Sequence, residues 1–393
     1  MNQGIYLYVN VPFCLKRCRY CYCTLMFLED DLLAYKKKSD DFVDALVKEI
    51  ATFDGKGRNC KGISFGGGSP SLLTVPQIER ILNALKQCCG SYDMETQMSM
   101  EVFPGTKTRD ELKAIRTMGF NRASLGAQSF DDKELEFFDR AHDVKTFYQS
   151  YEDLIAAGFD NINIDLLFGL PVEKPSNWKK SVDAALMLQP KHLTAYYWYP
   201  TRGNYFYNKI TEGSLQAPGR ETSIEQYQYA IDAAAKAGLN RYWDFNFSRE
   251  FEYQYAIERD SFRFCPLKGF GPGAWSQEGN NLICNSSMLY SYFKNPLKRH
   301  EQKCSIEYYL LRVLMFPQGL VFEEFERYFN KKWSLELLND KVKKAFDVWI
   351  ENDFFEINST GIRFREETIA RSSIYLAELQ TKLFYMLEDG DLP

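Results

Sequence analysis

The chain has 393 residues, 45% of them hydrophobic and 26% charged, and a formal net charge of −5. That length suits one large α/β domain plus a smaller one, and the weakly acidic balance argues against a nucleic-acid binder or a protein held to an anionic membrane by charge. Ten cysteines spread over so long a chain point to metal binding or free thiols, and three histidines (His142, His192, His300) are too few for a mononuclear site built on several imidazoles.

The opening stretch MNQGIYLYVNVPFC has no basic segment followed by an apolar run, so neither a signal peptide nor a membrane span is expected and the expected location is the cytoplasm. IYLYVNV (5–11) reads as a strand, 40–53 as a helix and KGISFG (61–66) as a strand. The pattern continues with helix 76–89, strand 98–103, helix 109–119, strand 121–129, helix 144–157, strand 161–169, helix 177–188 and strand 192–199. Six strands alternating in this way with helices predict an α/β fold, a parallel sheet curled into a partial (β/α)6 barrel, with chemistry in the loops after the strands. Beyond residue 300 the pattern changes to helices at 308–316, 334–353 and 373–387 and a hairpin at 354–364. The expected division is therefore a barrel over 1–300 and a winged-helix-like lid or interaction domain over 301–393. Balanced charge and the lack of a basic stripe count against DNA binding by that second domain.

The most specific motif is C-x-x-x-C-x-x-C in VPFCLKRCRYCYC, directly after the first strand. Cys14, Cys18 and Cys21 on one short loop supply three thiolates, enough for three irons of a cubane, and leave the fourth iron open to a bidentate ligand. A zinc knuckle would need a further Cys or His pair at the usual distance, and none is present. Cys23 shares a strand face with Cys21, and three readings stand for it: a fourth ligand, a thiol near the substrate, or an inert side chain. The open iron site favours a non-ligand role. The other cysteines, Cys60, Cys88, Cys89, Cys265, Cys284 and Cys304, read as small buried hydrophobes. GGGSPS (66–71), also directly after a strand, is a turn whose backbone can approach a ligand closely, and it lacks the lysine of a nucleotide P-loop. Aromatics, 16% of the chain, crowd at 195–200, 204–209, 241–247 and 262–264, where core packing explains most and a flat apolar substrate suits the rest.

These pieces, together with EVFP, RASLGAQSFDDKEL, DRAHD, NINIDLLFGLP and GFGPGAWS, resemble the radical S-adenosylmethionine family of oxygen-independent coproporphyrinogen III dehydrogenase over nearly the whole chain. The resemblance implies a [4Fe-4S] cluster on Cys14, Cys18 and Cys21 that cleaves S-adenosylmethionine to a carbon radical. It implies that Tyr8 stands beside the cluster-bound cofactor and that Tyr20 is the aromatic preceding the third cluster cysteine. Gly67, Gly68 and Ser69 would contact the methionine end and Glu101 would pair with the ammonium group. Gln128, Arg140 and Asp165 would surround the ribose and carboxylate. Tyr8 and Cys23 are the candidates closest to the chemistry. The stretch 262–276, with Phe264 and Trp275 as candidate contacts, matches a region that holds a second S-adenosylmethionine in some members. An electron donor such as flavodoxin or ferredoxin is implied as a partner.

The chain also departs from that family. Asn10 stands where the decarboxylases carry histidine, and an amide cannot shuttle a proton at neutral pH. The N-terminal segment is shorter, while the C-x-C ending at Cys23 is typical of the decarboxylases. The heme-chaperone branch carries a histidine motif just before the glycine-rich stretch, yet no histidine lies between His192 and His300. The expectation is therefore a class C reaction: methyl or methylene transfer to an sp² carbon of a flat or unsaturated small molecule, using two S-adenosylmethionine molecules. The alternatives are oxidative decarboxylation of coproporphyrinogen III, a heme-handling or tetrapyrrole-modifying relative, and a carrier that uses the cluster structurally.

Overall fold

In the first strand, Ile5–Val11, the side chains of Ile5, Leu7, Val9 and Val11 are buried, and so is Tyr6. Burial on both faces is what a strand inside a parallel sheet requires. The computed structural model describes residues 4–21, 23, 26–27, 32–91, 96–171, 177–198, 200 and 204–388. Packing divides the chain into two units. The first comprises Met1–Asp165, Pro190–His192 and Tyr255–Lys303, and the second Leu166–Gln189, Leu193–Gln254 and Cys304–Pro393. The division expected from sequence follows the change of element type at residue 300; as a statement about folding units it remains our proposal, since packing groups residues 166–189 and 193–254 with the C-terminal segment.

In the first unit, strand Ile5–Val11 lies parallel to Gly55–Gly67 on one side and to Leu267–Phe270 on the other, with Tyr8 opposite Ser64 and Gly269. Parallel strands Gln97–Val102 and Arg122–Gln128 follow beyond Gly55–Gly67. On the other side run antiparallel strands Trp275–Glu278, Asn281–Asn285 and Arg299–Lys303. Capping boxes at Thr74 and Thr108 start helices Val75–Cys88 and Arg109–Thr117, satisfying amides that each helix would otherwise leave open.

The second unit contains helices Trp178–Met187 and Arg220–Lys236, and strands Asn240–Trp243 and Asn246–Ser248. Its C-terminal part has helices Ile306–Val313, Phe322–Phe329, Asp340–Glu351 and Ile369–Glu388. A small antiparallel sheet accompanies them, in the order Leu320–Val321, Gly361–Phe364, Phe355–Ile357. Buried Asp244 links the two parts: its carboxylate accepts from Ser373 Oγ at 2.8 Å and its N–H donates to the Met315 carbonyl at 2.9 Å. Among the described residues no helix is long and apolar enough to cross a membrane.

Several elements differ from expectation. The helix expected over 40–53 is Leu32–Ala51, and the strand expected over 61–66 runs Gly55–Gly67. The single helix expected over 334–353 is a short 3-10 turn, Leu335–Leu337, then helix Asp340–Glu351, because the Asn339 side chain caps the amides of Lys341 and Val342. The three strands from Trp275 to Lys303 carry no clean alternation and were not expected. The last residue of the expected strand 192–199, Tyr199, lies outside the described residues, and the strand is described over His192–Tyr197.

In the C-terminal segment Trp349, 2% exposed, meets Phe346, Phe355 and Phe364 at ring distances of 5.4, 5.9 and 5.7 Å. Trp349→Ala should cost about 3–5 kcal/mol through the lost contacts and the cavity left behind. Urea unfolding followed by circular dichroism checks this, and a loss below about 1 kcal/mol would mean that the cluster collapses around the gap.

Candidate functional site

The loop after the first strand is tied to the glycine turn by main-chain hydrogen bonds. Gly68 N–H donates to the Val11 carbonyl and Ser69 N–H to the Phe13 carbonyl, both at 2.7 Å. Cys14 Sγ consequently lies 3.5 Å from Ser69 Oγ. Cys21 N–H closes a turn on the Cys18 carbonyl at 3.0 Å. Cys14 and Cys18 are buried, Cys21 and Cys23 half-buried. Burial pushes the Cys14 thiol up, while the hydrogen bond with Cys23 lowers Cys21 to about 7 and raises Cys23 well above the usual thiol range. Cys21 is thus the better thiolate of the pair. Among the described residues no three Cys, His, Asp or Glu side chains form a ready-made metal site.

Glycine is required at the turn. Gly67 has φ +104°, and a Cβ there would stand 2.2 Å from Asn10 Oδ1. A Cβ on Gly66 would meet Glu101 Oε1 at 2.5 Å and the Tyr8 hydroxyl at 2.7 Å, so Tyr8 and Glu101 converge on this backbone.

Beside the turn is a polar cavity lined by Gly68, Ser69, Glu101, Val102, Phe103, Ser124, Gly126, Gln128, Arg140 and Asp165. Ser124, Gly126 and Gln128 alternate along one strand, so the pleat puts all three on one face, and Ser124 lies opposite Glu101 in the ladder. Asp165 accepts from Ser124 Oγ at 2.9 Å and from Asn163 Nδ2 at 2.7 Å. Asn163 is in turn held through its Oδ1 by His192 Nδ1 at 2.5 Å. Arg140 connects the cavity to the cysteine loop. Its guanidinium donates to the Gly126 carbonyl at 2.9 Å and to the Tyr20 hydroxyl at 3.0 Å, and lies 3.7 Å from Cys18 Sγ. It also stacks 4.3 Å from the Phe103 ring centre. Gln128 holds φ +67°, a conformation costly for a residue with a side chain and common where a ligand is clamped. Removal from water, reinforced by Asp165 and Glu258, pushes the Glu101 carboxyl up to about 8, and burial raises Asp165 to about 6.

Six of the residues expected from sequence therefore line one cavity: Gly68, Ser69, Glu101, Gln128, Arg140 and Asp165. Gly67 and Tyr8 adjoin it through the glycine turn, and Tyr20 through Arg140. Phe264 and Trp275 are not among its lining residues; Phe264 is half-buried and Trp275 is 41% exposed. Sequence reading missed Val102, Phe103, Ser124 and Gly126. Ser124 and Gly126 were legible, since they stand four and two residues before Gln128 in RASLGAQ and so share its face.

Residues 8–185 match the radical SAM superfamily model. The chain is similar to the heme chaperone HemW of Synechocystis sp., at 31% identity over 281 residues, covering 70% of this chain and 68% of that one. It is also similar to HemW of Bacillus subtilis, at 28% identity over 72% of this chain and 74% of that one. To the oxygen-independent coproporphyrinogen III oxidase of Escherichia coli it is 30% identical over 58% of this chain and 50% of that one. The structure of coproporphyrinogen III oxidase (HemN) from Escherichia coli superposes with a TM-score of 0.76 and 22% identity, over 95% of this chain and 90% of that one. That match shows the fold: an α/β partial barrel of the radical SAM type with a C-terminal helical domain.

The raised Glu101 carboxyl has a consequence for stability. Its proton is held up to about pH 8 in the folded chain but only to the ordinary value of 4.5 in the unfolded chain. Between those values folding takes up a proton, so this group's contribution to stability falls as pH rises through the window. Glu101→Gln removes the coupling. Its melting temperature should lie close to wild type near pH 5 and exceed it increasingly toward about pH 8. Thermal melts across that range are the check, and a gap that stays constant with pH would contradict it.

Proposed function

The chain belongs to the radical SAM superfamily, in the family that includes the oxygen-independent coproporphyrinogen III oxidases and the HemW heme chaperones, and from that premise we propose that it is an enzyme that cleaves S-adenosylmethionine reductively and acts on a tetrapyrrole. The observation that carries the reading is Arg140, which touches both the cysteine loop and the wall of the polar cavity. A thiol loop and a carboxylate-lined cavity held together in this way suit a cluster on Cys14, Cys18 and Cys21 with S-adenosylmethionine beside it.

The donor set fits that cofactor. Three thiols share one loop, Cys21 is lowered toward its thiolate, and Cys23 is the protonated partner. When bound, the cluster supplies the electron that breaks a carbon–sulfur bond of S-adenosylmethionine. Within the chain, Gly67, Gly68 and Ser69 offer backbone groups to the methionine end. Glu101, once ionised, pairs with the ammonium group, and Asp165 and Gln128 hold the ribose. Arg140, 3.7 Å from Cys18 Sγ, fixes the loop against the cavity wall.

The tetrapyrrole assignment rests on the relatives, which are oxidases of coproporphyrinogen III and heme chaperones. It replaces the expected methyl or methylene transfer, which none of these relatives supports. The glycine-rich stretch behind that expectation also has a packing explanation. A Cβ on Gly269 would stand 2.2 Å from the Trp275 carbonyl oxygen, and one on Gly271 would stand 2.3 Å from that of Asn10. Heme carriage is the second reading, favoured by the identity to HemW. Against axial ligation by histidine, His142 and His192 are buried, which leaves His300 as the exposed imidazole.

Anaerobic reconstitution followed by S-adenosylmethionine, dithionite and coproporphyrinogen III tests the proposal. The expected products are 5′-deoxyadenosine and carbon dioxide. S-adenosylhomocysteine as the main product would return the reaction to methyl transfer, and a one-to-one heme complex lost in His300→Ala would put carriage first. Cys14→Ala, Cys18→Ala and Cys21→Ala should each abolish cleavage, while Cys23→Ala keeps the iron–sulfur absorbance. Loss of that absorbance in Cys23→Ala with retention in Cys21→Ala would reverse the ligand assignment.

A further inference from the structure

Glu49 lies in the last turn of helix Leu32–Ala51, 1% exposed, and on none of the motifs that mark the site. Its carboxylate accepts three hydrogen bonds. Gly271 N–H and the Tyr292 hydroxyl donate to Oε2 at 2.9 Å each, and Asn285 Nδ2 donates to Oε1 at 2.8 Å. Arg299 Nη2 stands 3.7 Å from Oε1. A buried carboxylate is costly unless its lone pairs are filled, and here they are. Glutamine cannot replace it without loss, because it offers one acceptor oxygen and would turn an NH₂ group toward a donor.

What Glu49 and Asn285 hold between them is the two peptide groups that flank the Gly271 Cα. Glu49 takes the Gly271 N–H, and Asn285 Nδ2 donates at 2.8 Å to the Gly271 carbonyl. Gly271 sits at φ +96°, with space for a Cβ closed by the Asn10 carbonyl oxygen at 2.3 Å. The next carbonyl, of Pro272, accepts from Asn10 Nδ2 at 2.6 Å. The same Asn10 side chain presents Oδ1 to Gly67, and Gly68 N–H is bonded to the Val11 carbonyl. A continuous line of contacts therefore runs from Glu49 through Gly271–Pro272 and Asn10 to the turn Gly67–Ser69, which walls the cavity.

We propose that Glu49 is a positioning residue for the S-adenosylmethionine site: by clamping Gly271 it fixes Asn10, and through Asn10 it sets the glycine turn that receives the methionine end. The inference rests on the radical SAM reading above. General support of the fold would act on the amount of active protein and so on kcat. Positioning of the turn acts on affinity for the cofactor and so on KM.

The test uses Glu49→Gln, with Asn285→Ala as a second variant that breaks the clamp and keeps the carboxylate. In the full-length protein without cluster, hydrogen exchange should rise about tenfold in peptides covering 66–69 and 271–273 and stay unchanged over Gln97–Val102. In the reconstituted protein, KM for S-adenosylmethionine should rise about tenfold while kcat per cluster stays within about twofold. Faster exchange at 271–273 with none at 66–69 would overturn the proposal, as would a fall in kcat with KM unchanged. If Glu49→Gln does not fold, Asn285→Ala decides on the same readouts. A wild-type protein that cleaves no S-adenosylmethionine would refute the radical SAM reading, and the exchange data would still decide whether Glu49 controls the turn.

Discussion

Two main-chain hydrogen bonds carry the architecture of the site: Gly68 N–H to Val11 and Ser69 N–H to Phe13. They extend the parallel ladder between strands Ile5–Val11 and Gly55–Gly67 past its end, where the two chains leave the sheet as different loops. Without them the cysteine loop and the glycine turn would be independent surface segments, each free to adopt many conformations. With them the loops share one frame, and Cys14 is brought beside Ser69 with no specific side-chain contact needed. Side chains then add to what the backbone has fixed. Arg140 bridges to Cys18 and Tyr20 on one side and to Gly126 on the other, which brings a third strand into the same frame.

The charges around this frame are arranged asymmetrically. Burial first, and then Asp165 and Glu258, raise the Glu101 carboxyl, while Arg122 lowers it. Arg122 is 2% exposed, bonds Ser99 Oγ at 3.2 Å and stacks 4.2 Å from the Tyr255 ring centre. Fixed in this way, it lowers the carboxyls only in part. Arg140, on the wall of the same cavity, is engaged by Gly126 and Tyr20.

How much of this the sequence discloses depends on the kind of signal. The barrel strands were legible because burial on both faces makes near-continuous apolar runs such as IYLYV, and the helices between them because of capping and a single apolar face. The cysteine loop and glycine turn were legible as compact motifs with unusual residue types. What could not be read was contact between residues distant in sequence. Glu49 looks like any acidic residue in a helix, and nothing nearby in sequence shows that it will meet Gly271, Asn285 and Tyr292. The strands from Trp275 to Lys303 were hidden for a related reason. They are short and carry polar residues such as Gln277 and Asn285 at buried positions, which breaks the alternation by which a half-buried strand is recognised.

Asn10 joins these two kinds of information. In sequence it reads as a loss, an amide where the family resemblance implies an imidazole. In the structure both halves of that amide are engaged: Nδ2 donates to the Pro272 carbonyl, and Oδ1 faces Gly67 and lies 3.4 Å from the Tyr8 hydroxyl. The residue therefore splices two loops and moves no proton. A reaction in this cavity that needs proton exchange near neutral pH must draw on other groups. Tyr8 is held well above its usual range by burial and by Glu101, which leaves it a hydroxyl donor that does not ionise. Glu101 and Asp165, both raised by burial, line the same cavity. The raised carboxyls of the cavity wall come from two different strands, and nothing in their spacing in sequence shows that they meet there.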